Sequence, residues 1–135
     1  PAIIKKALND EKIPVYDDGS QVRQWVYVMD HVKDIITVAE HGESGEIYNV
    51  GGGKSLKNIE LVKMILKSLN KTDDLIEFKP NARLGHDQKY AIDCSKLSKL
   101  KTDKKLCSED LNDMDLLFLH RIESTIKYYN EKFNN

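Results

Sequence analysis

The stretch from Pro14 to His31, PVYDDGSQVRQWVYVMDH, decides how the chain is read. Pro14-Val15-Tyr16 reads as a short extended piece. Asp17-Asp18-Gly19-Ser20 reads as a turn, because these residue types bond their own backbone or tolerate positive φ. Trp25-Val26-Tyr27-Val28 is aromatic and β-branched, which predicts a strand. Asp30 then offers an N-cap for a helix carrying Val32, Ile35, Ile36 and Ala39 at one-face spacing, ended by Gly42.

Upstream, the segment from Ala2 to Leu8 looks like the end of a helix, broken by Asn9-Asp10-Glu11-Lys12. Downstream, Ile47-Tyr48-Asn49-Val50 predicts a strand running into Gly51-Gly52-Gly53. An amphipathic helix follows, with Asn58 near its start and Val62, Ile65, Leu66 and Leu69 on one face. Ile76-Glu77-Phe78 and Tyr90-Ala91-Ile92 read as short strands around a polar loop with Pro80 and Gly85. A final helix turns Ile122, Ile126, Tyr129 and Phe133 inward. The fold class is mixed α/β.

The 135 residues are enough for one domain with a modest core. Charged residues make up 32% but nearly cancel to a net charge of -1, so no global field draws the chain to nucleic acid or an anionic membrane. No apolar run approaches the ~18 residues of a membrane helix. Cys94 and Cys107 form no ligand spacing and read as reduced thiols, which together with the absence of a signal peptide predicts a cytoplasmic protein. Pro1 in place of an initiator methionine predicts a chain cut from a larger protein.

The familiar catalytic patterns fail one by one. Gly51-Gly52-Gly53 lacks the third glycine of a dinucleotide loop, since Leu56 stands there, and reads as a strand-to-helix turn. Tyr128-x-x-x-Lys132 matches a tyrosine–lysine acid/base pair in form, but no nicotinamide site accompanies it. His31, His41, His86 and His120 lack zinc spacing. Asp17-Asp18 and Asp73-Asp74 read as solvated turns. Two of the three arginines, however, sit beside aromatic and polar groups: Tyr16 with Arg23-Gln24-Trp25, and Arg83-Leu84-Gly85-His86-Asp87. A guanidinium fork suits a diphosphate. Surface arginines in turn salt bridges are the alternative, and the residues alone leave both open.

Four stretches together resemble the C-terminal part of the dTDP-glucose 4,6-dehydratase family, extended short-chain dehydrogenase/reductases. Pro14 to His31 is similar to P-[LI]-Y-G-x-G-x-Q-x-R-D-W-[LI]-Y-V-x-D-H. The segment from Gly45 to Gly52 is similar to G-E-x-Y-N-I-G-G, and Asn58 falls where the family opens a helix with asparagine. Arg83 to Asp93 is similar to R-P-G-H-D-x-R-Y-A-I-D. The departures are Asp17 for glycine, Gln24 for aspartate, Leu84 for proline, and a tail without L-G-W-x-P.

The resemblance implies one C-terminal nucleotide-sugar-binding domain over residues 1–135, closest to the family over 14–98 and divergent in the tail. It implies that Pro14 and Tyr16 contact the base, Arg23 and Arg83 grip the diphosphate, Asn58 bonds near it, and His86 completes the nucleotide pocket. The ligand would be dTDP-glucose or UDP-glucose. In the family, bound NAD oxidises C4 of the glucose, water leaves across C5–C6, and the hydride returns to C6. The glycine loop, Asp-Glu pair and Tyr-x-x-x-Lys for that cycle lie upstream of the Pro14-like segment. The chain is therefore expected to lack its Rossmann cofactor domain, to bind no NAD and to be inactive alone. A fragment of a UDP-sugar epimerase or decarboxylase, or a non-catalytic binding protein, are the alternatives. Without the cofactor domain, Val26, Val32, Ile35, Ile36 and Val50 should present an uncovered apolar face, and the chain should self-associate through it.

Overall fold

The computed structural model describes residues 1–80, 85, 87–101 and 111–134, with side chains in the last stretch described for 115–133. Helix α1 (Ala2–Leu8) leads to strand β1 (Ile13–Tyr16), and a turn connects to β2 (Val22–Trp25). Helix α2 (Val28–His41) precedes β3 (Lys54–Lys57) and α3 (Asn58–Ser68). A 3-10 turn, strand β4 (Ile76–Lys79), α4 (Ser95–Leu100) and α5 (Leu111–Asn134) complete the described chain. The mixed α/β class is as expected.

Helix α3 organises the packing because its apolar stripe is wide enough to serve two neighbours. Leu61 and Ile65 meet Ile4 of α1, Leu56 of β3 and Phe118, Ile122 and Ile126 of α5. Val62 and Leu66 meet Ala7, Ile13 and Val15. β1 and β4 pair in parallel, from Ile13 opposite Ile76 to Tyr16 opposite Lys79. β2 and β3 pair antiparallel, from Val22 opposite Lys57 to Trp25 opposite Lys54. The alternation of β1 sends Ile13 and Val15 into the core and leaves Pro14 and Tyr16 on the other face.

Several expectations need correction. The strand expected at 25–28 lies at Val22–Trp25, since that is the stretch for which Lys54–Lys57 supplies backbone partners. The helix then starts at Val28, which puts Asp30 in the first turn instead of at the cap, where its charge still suits the helix N-terminus. Residues 47–50 form no strand. No described segment bonds their backbone in a ladder, and Ile47 is 83% exposed. Gly51-Gly52-Gly53 leads into β3, not directly into a helix, and Gly53 (φ +76) brings its α-carbon so close to the Trp25 carbonyl that a Cβ would lie 2.1 Å from that oxygen. Residues 90–92 are no strand either. One bridge joins Val22 and Lys89, and the Ile92 N–H goes to Gln24 Oε1 at 3.0 Å instead of to a ladder. On α5, Ile122 and Ile126 are buried as expected, but Phe133 is exposed and stacks on Tyr129, centroids 5.4 Å apart.

Helix α2 is inverted relative to an ordinary surface helix. Its apolar residues face outward, with Val28 63% exposed and Ile35 and Ile36 each 49%, and Met29 and Val32 exposed beside them. Its buried residue is Asp34, which meets Lys101 Nζ at 2.6 Å. A second ion pair, Arg121 to Asp30 at 2.8 Å, ties it to α5. Val26 shares the exposed face, whereas Val50 is half-buried, contrary to its expected place there.

The turn after β1 holds Asp17 at φ 52, a left-handed conformation that costs a side chain about 1–2 kcal/mol, less for aspartate than for most. Asp17→Gly should therefore raise unfolding free energy by up to about 1 kcal/mol, after allowing for the extra freedom of glycine in the unfolded chain. Urea unfolding of the two proteins measures the difference, and a loss of stability would show that the Asp17 side chain holds the turn.

Candidate nucleotide-binding site

Tyr16 and Asn58, two of the residues singled out from the sequence, are joined by the turn of residues 17–21. Gly19 N–H donates to the Tyr16 carbonyl at 3.0 Å. The Gly19 carbonyl accepts from Ile59 N–H at 3.1 Å, and the Gln21 carbonyl from Asn58 N–H at 3.0 Å. The end of β1 is thereby pinned to the start of α3, and Asn58 is the first residue of that helix. Gly19 is required here: at φ +70, a Cβ would lie 2.6 Å from Val15 Cγ1 and 2.8 Å from Ile59 Cβ. Tyr16 is 54% exposed, and Pro14 lies two residues back on the same side of the strand.

Arg23, on β2, holds the described end of the following polar loop. Its Nη1 donates to the Val22 carbonyl at 2.7 Å and to the Gln88 carbonyl at 3.5 Å, and its Nη2 to the Asp87 carbonyl at 3.0 Å. The guanidinium also lies over the Tyr90 ring, 4.4 Å from its centroid. Tyr90 in turn donates its hydroxyl to the Asp87 carboxylate. That hydrogen bond, and then the charge of Asp87, raise the phenol above its ordinary value despite Arg23. Gln88 Nε2 reaches Ser20 Oγ at 2.9 Å, which closes the loop onto the turn. Arg83 and His86 lie outside the described residues. The structure thus brings Pro14, Tyr16, Arg23 and Asn58 onto one frame.

Three contributors had little sequence signal. Gln21 falls on the glutamine of the motif, which assigns it no role, and Gln88 is an ordinary polar residue whose partner Ser20 is 68 positions away. Gln24, read only as a departure from aspartate, accepts the Ile92 N–H and so anchors the segment after Tyr90. Beside Arg23 is a pocket of about 200 Å³, lined also by Gln24, Tyr90, Ile92, Gly51 and Gly52. A larger cleft of about 720 Å³ lies elsewhere, between α1, α3, α5 and Trp25 to Met29. Its walls are mostly apolar, with Arg121, Ser124 and Thr125 among them; they include none of the four residues and reach the exposed Val28 and Met29 of α2.

The glycine run does not fit NAD. A dinucleotide loop places its phosphates at a helix N-terminus, whereas this run opens a strand and packs Gly53 against Trp25. Among the described residues, no three His, Cys, Asp or Glu side chains gather as metal ligands. No described helix is long and apolar enough to cross a membrane.

Residues 1–51 match the family described as the NAD dependent epimerase/dehydratase family. The low-salt glycan biosynthesis protein Agl12 of Haloferax volcanii is 43% identical over 110 residues, which are 82% of this chain and 35% of that protein. A dTDP-glucose 4,6-dehydratase of Xanthomonas campestris pv. campestris is 46% identical over 105 residues, 72% of this chain and 30% of its own length. Among solved structures, dTDP-glucose 4,6-dehydratase of Bacillus anthracis str. Ames in complex with NAD is similar over 97% of this chain and 38% of its own, with TM-score 0.77 and 33% identity. UDP-sugar 4-epimerases share the fold at lower identity. The chain spans about a third of the length of the curated relatives it matches.

The fold is that of an extended short-chain dehydrogenase/reductase. Residues 1–51 thus resemble the NAD dependent epimerase/dehydratase family, and about 72–73% of the chain is similar to dTDP-glucose 4,6-dehydratases at 36–46% identity.

Proposed function

We propose that this chain is the substrate-binding portion of a nucleotide-sugar 4,6-dehydratase, the enzyme class that converts dTDP-glucose to dTDP-4-keto-6-deoxyglucose, and that it is inactive alone. The observation that carries this reading is the frame of the 17–21 turn, which gathers an exposed tyrosine, an arginine and a helix-opening asparagine. Tyr16 and Pro14 present an apolar face to a pyrimidine. The Arg23 guanidinium supplies charge-assisted bonds to a diphosphate. Asn58 offers amide donors and an acceptor beside it. Arg83 and His86 are proposed partners of the same ligand, from the motif they occupy.

On this reading the chain supplies binding and orientation, while the acids, bases and redox cofactor of the reaction act from outside these 135 residues. A UDP-sugar epimerase or decarboxylase portion is the second reading, favoured by the shared fold of the UDP-sugar 4-epimerases. Titration with dTDP and with UDP compares the two, since the bases differ by one methyl group.

The outward face of α2 gives a further expectation. Complete burial of each such side chain gains ~1.5–3 kcal/mol, and patches of this kind rarely stay bare. We expect the cofactor-binding portion of the enzyme to cover this face, and the isolated chain to self-associate through it. Sedimentation at rising concentration should show a dimer, and Ile35→Glu should return it to monomer. A wild-type monomer at high concentration, unchanged by Ile35→Glu, would contradict the expectation.

A further inference from the structure

We infer that Gln21 is a positioning residue of the nucleotide site, an inference that rests on the site proposed above. Its side chain lies inside the joint between β1 and α3, only 5% exposed. There Nε2 reaches the Tyr16 carbonyl at 3.5 Å, and Oε1 has no hydrogen-bond partner among the described residues. Its own carbonyl takes the Asn58 N–H at 3.0 Å.

An amide buried in this way is a poor stabiliser. One end is desolvated without compensation and the other makes a long contact, whereas an apolar side chain of the same shape would avoid both costs. What the amide supplies is direction. Donation to the Tyr16 carbonyl orients the last peptide of β1 and so the exit of the Tyr16 ring, while the backbone of the same residue sets the first turn of α3. Gln21 thus couples the ring assigned to the base with the amide assigned to the neighbourhood of the diphosphate. An apolar replacement would fill the space and lose the coupling.

The test titrates dTDP into the full chain as wild type, Gln21→Met and Gln21→Glu, with thermal unfolding in parallel. Gln21→Met should melt at or above the wild-type temperature and bind dTDP about ten-fold more weakly, a change of ~1.4 kcal/mol. In Gln21→Glu, a protonated carboxyl can donate to the Tyr16 carbonyl as the amide does, but an ionised one faces it acceptor to acceptor. Its affinity, taken as a ratio to wild type at each pH, should fall as pH rises through the carboxyl titration. A role in packing alone gives no such profile. Wild-type affinity in Gln21→Met overturns the inference, as does a lowered melting temperature together with a pH-independent ratio for Gln21→Glu. If the wild-type chain binds neither dTDP nor UDP, the site itself fails. If it binds and Gln21→Met binds equally well, only the role of Gln21 fails.

Discussion

Arg23→Ala should weaken binding of a nucleoside diphosphate by roughly 2–4 kcal/mol, or about 30- to 1,000-fold. The range is that of removing a charge-assisted partner from a desolvated anion. The structure adds a second route to the same loss. Arg23 bonds the Asp87 and Gln88 carbonyls and covers the Tyr90 ring, so the alanine variant also releases the segment that closes on Ser20. Arg23→Lys keeps the charge but not the planar fork, and should recover only part of the affinity. Arg121→Ala is the control. Arg121 lies on α5, paired with Asp30 and away from the turn, and its removal should leave affinity nearly unchanged. Calorimetric titration of dTDP measures all four proteins. Equal losses for Arg23 and Arg121 would remove the diphosphate assignment.

Leu66→Ala should lower unfolding free energy by about 3–5 kcal/mol, measurable by urea titration. Leu66 is completely buried, and packs on α3 among Ala7, Ile13, Val15 and Val62. Those partners come from α1, β1 and α3 itself, and β1 is held by its pairing with β4, which limits how far the space can close. A domain of this size has only ~5–15 kcal/mol in total, so the variant should be close to unfolding. The effect reaches the site, because Leu66 supports the strand that carries Pro14 and Tyr16. A cost below about 1 kcal/mol would mean that α3 is not the centre of the core.

The sequence made some of this legible and hid the rest for physical reasons. Helices α2, α3 and α5 announce themselves by period, and β1 with its turn by proline, glycine and aspartate. The period of α2 does not say which side faces the core. The resemblance implied that its apolar stripe would lie uncovered, as it does, and the structure adds the Asp34–Lys101 ion pair on the other side. Residues 47–50 have strand composition, but a strand needs a neighbour, and none of the described backbone supplies one. β2 was displaced by three residues because its place is set by pairing with Lys54–Lys57, a long-range fact that local composition does not encode. At the site, Tyr16, Arg23 and Asn58 could be named from residue type and resemblance. The bond from Arg23 to the Asp87 carbonyl could not, since the two are 64 positions apart. Gln21 falls on the glutamine of the motif that carries the resemblance, but the role of its amide depends on what surrounds it, which the motif does not state.

The central claim is that these residues hold the nucleotide of a sugar nucleotide and do not hold the dinucleotide cofactor. Calorimetric titration of the chain with dTDP, and separately with NAD, tests it most directly. Saturable heat is expected with dTDP, and none with NAD, because the glycine run that could have formed a dinucleotide loop leads into β3 against Trp25. Micromolar binding of NAD, or failure of both dTDP and UDP to bind, would contradict the account.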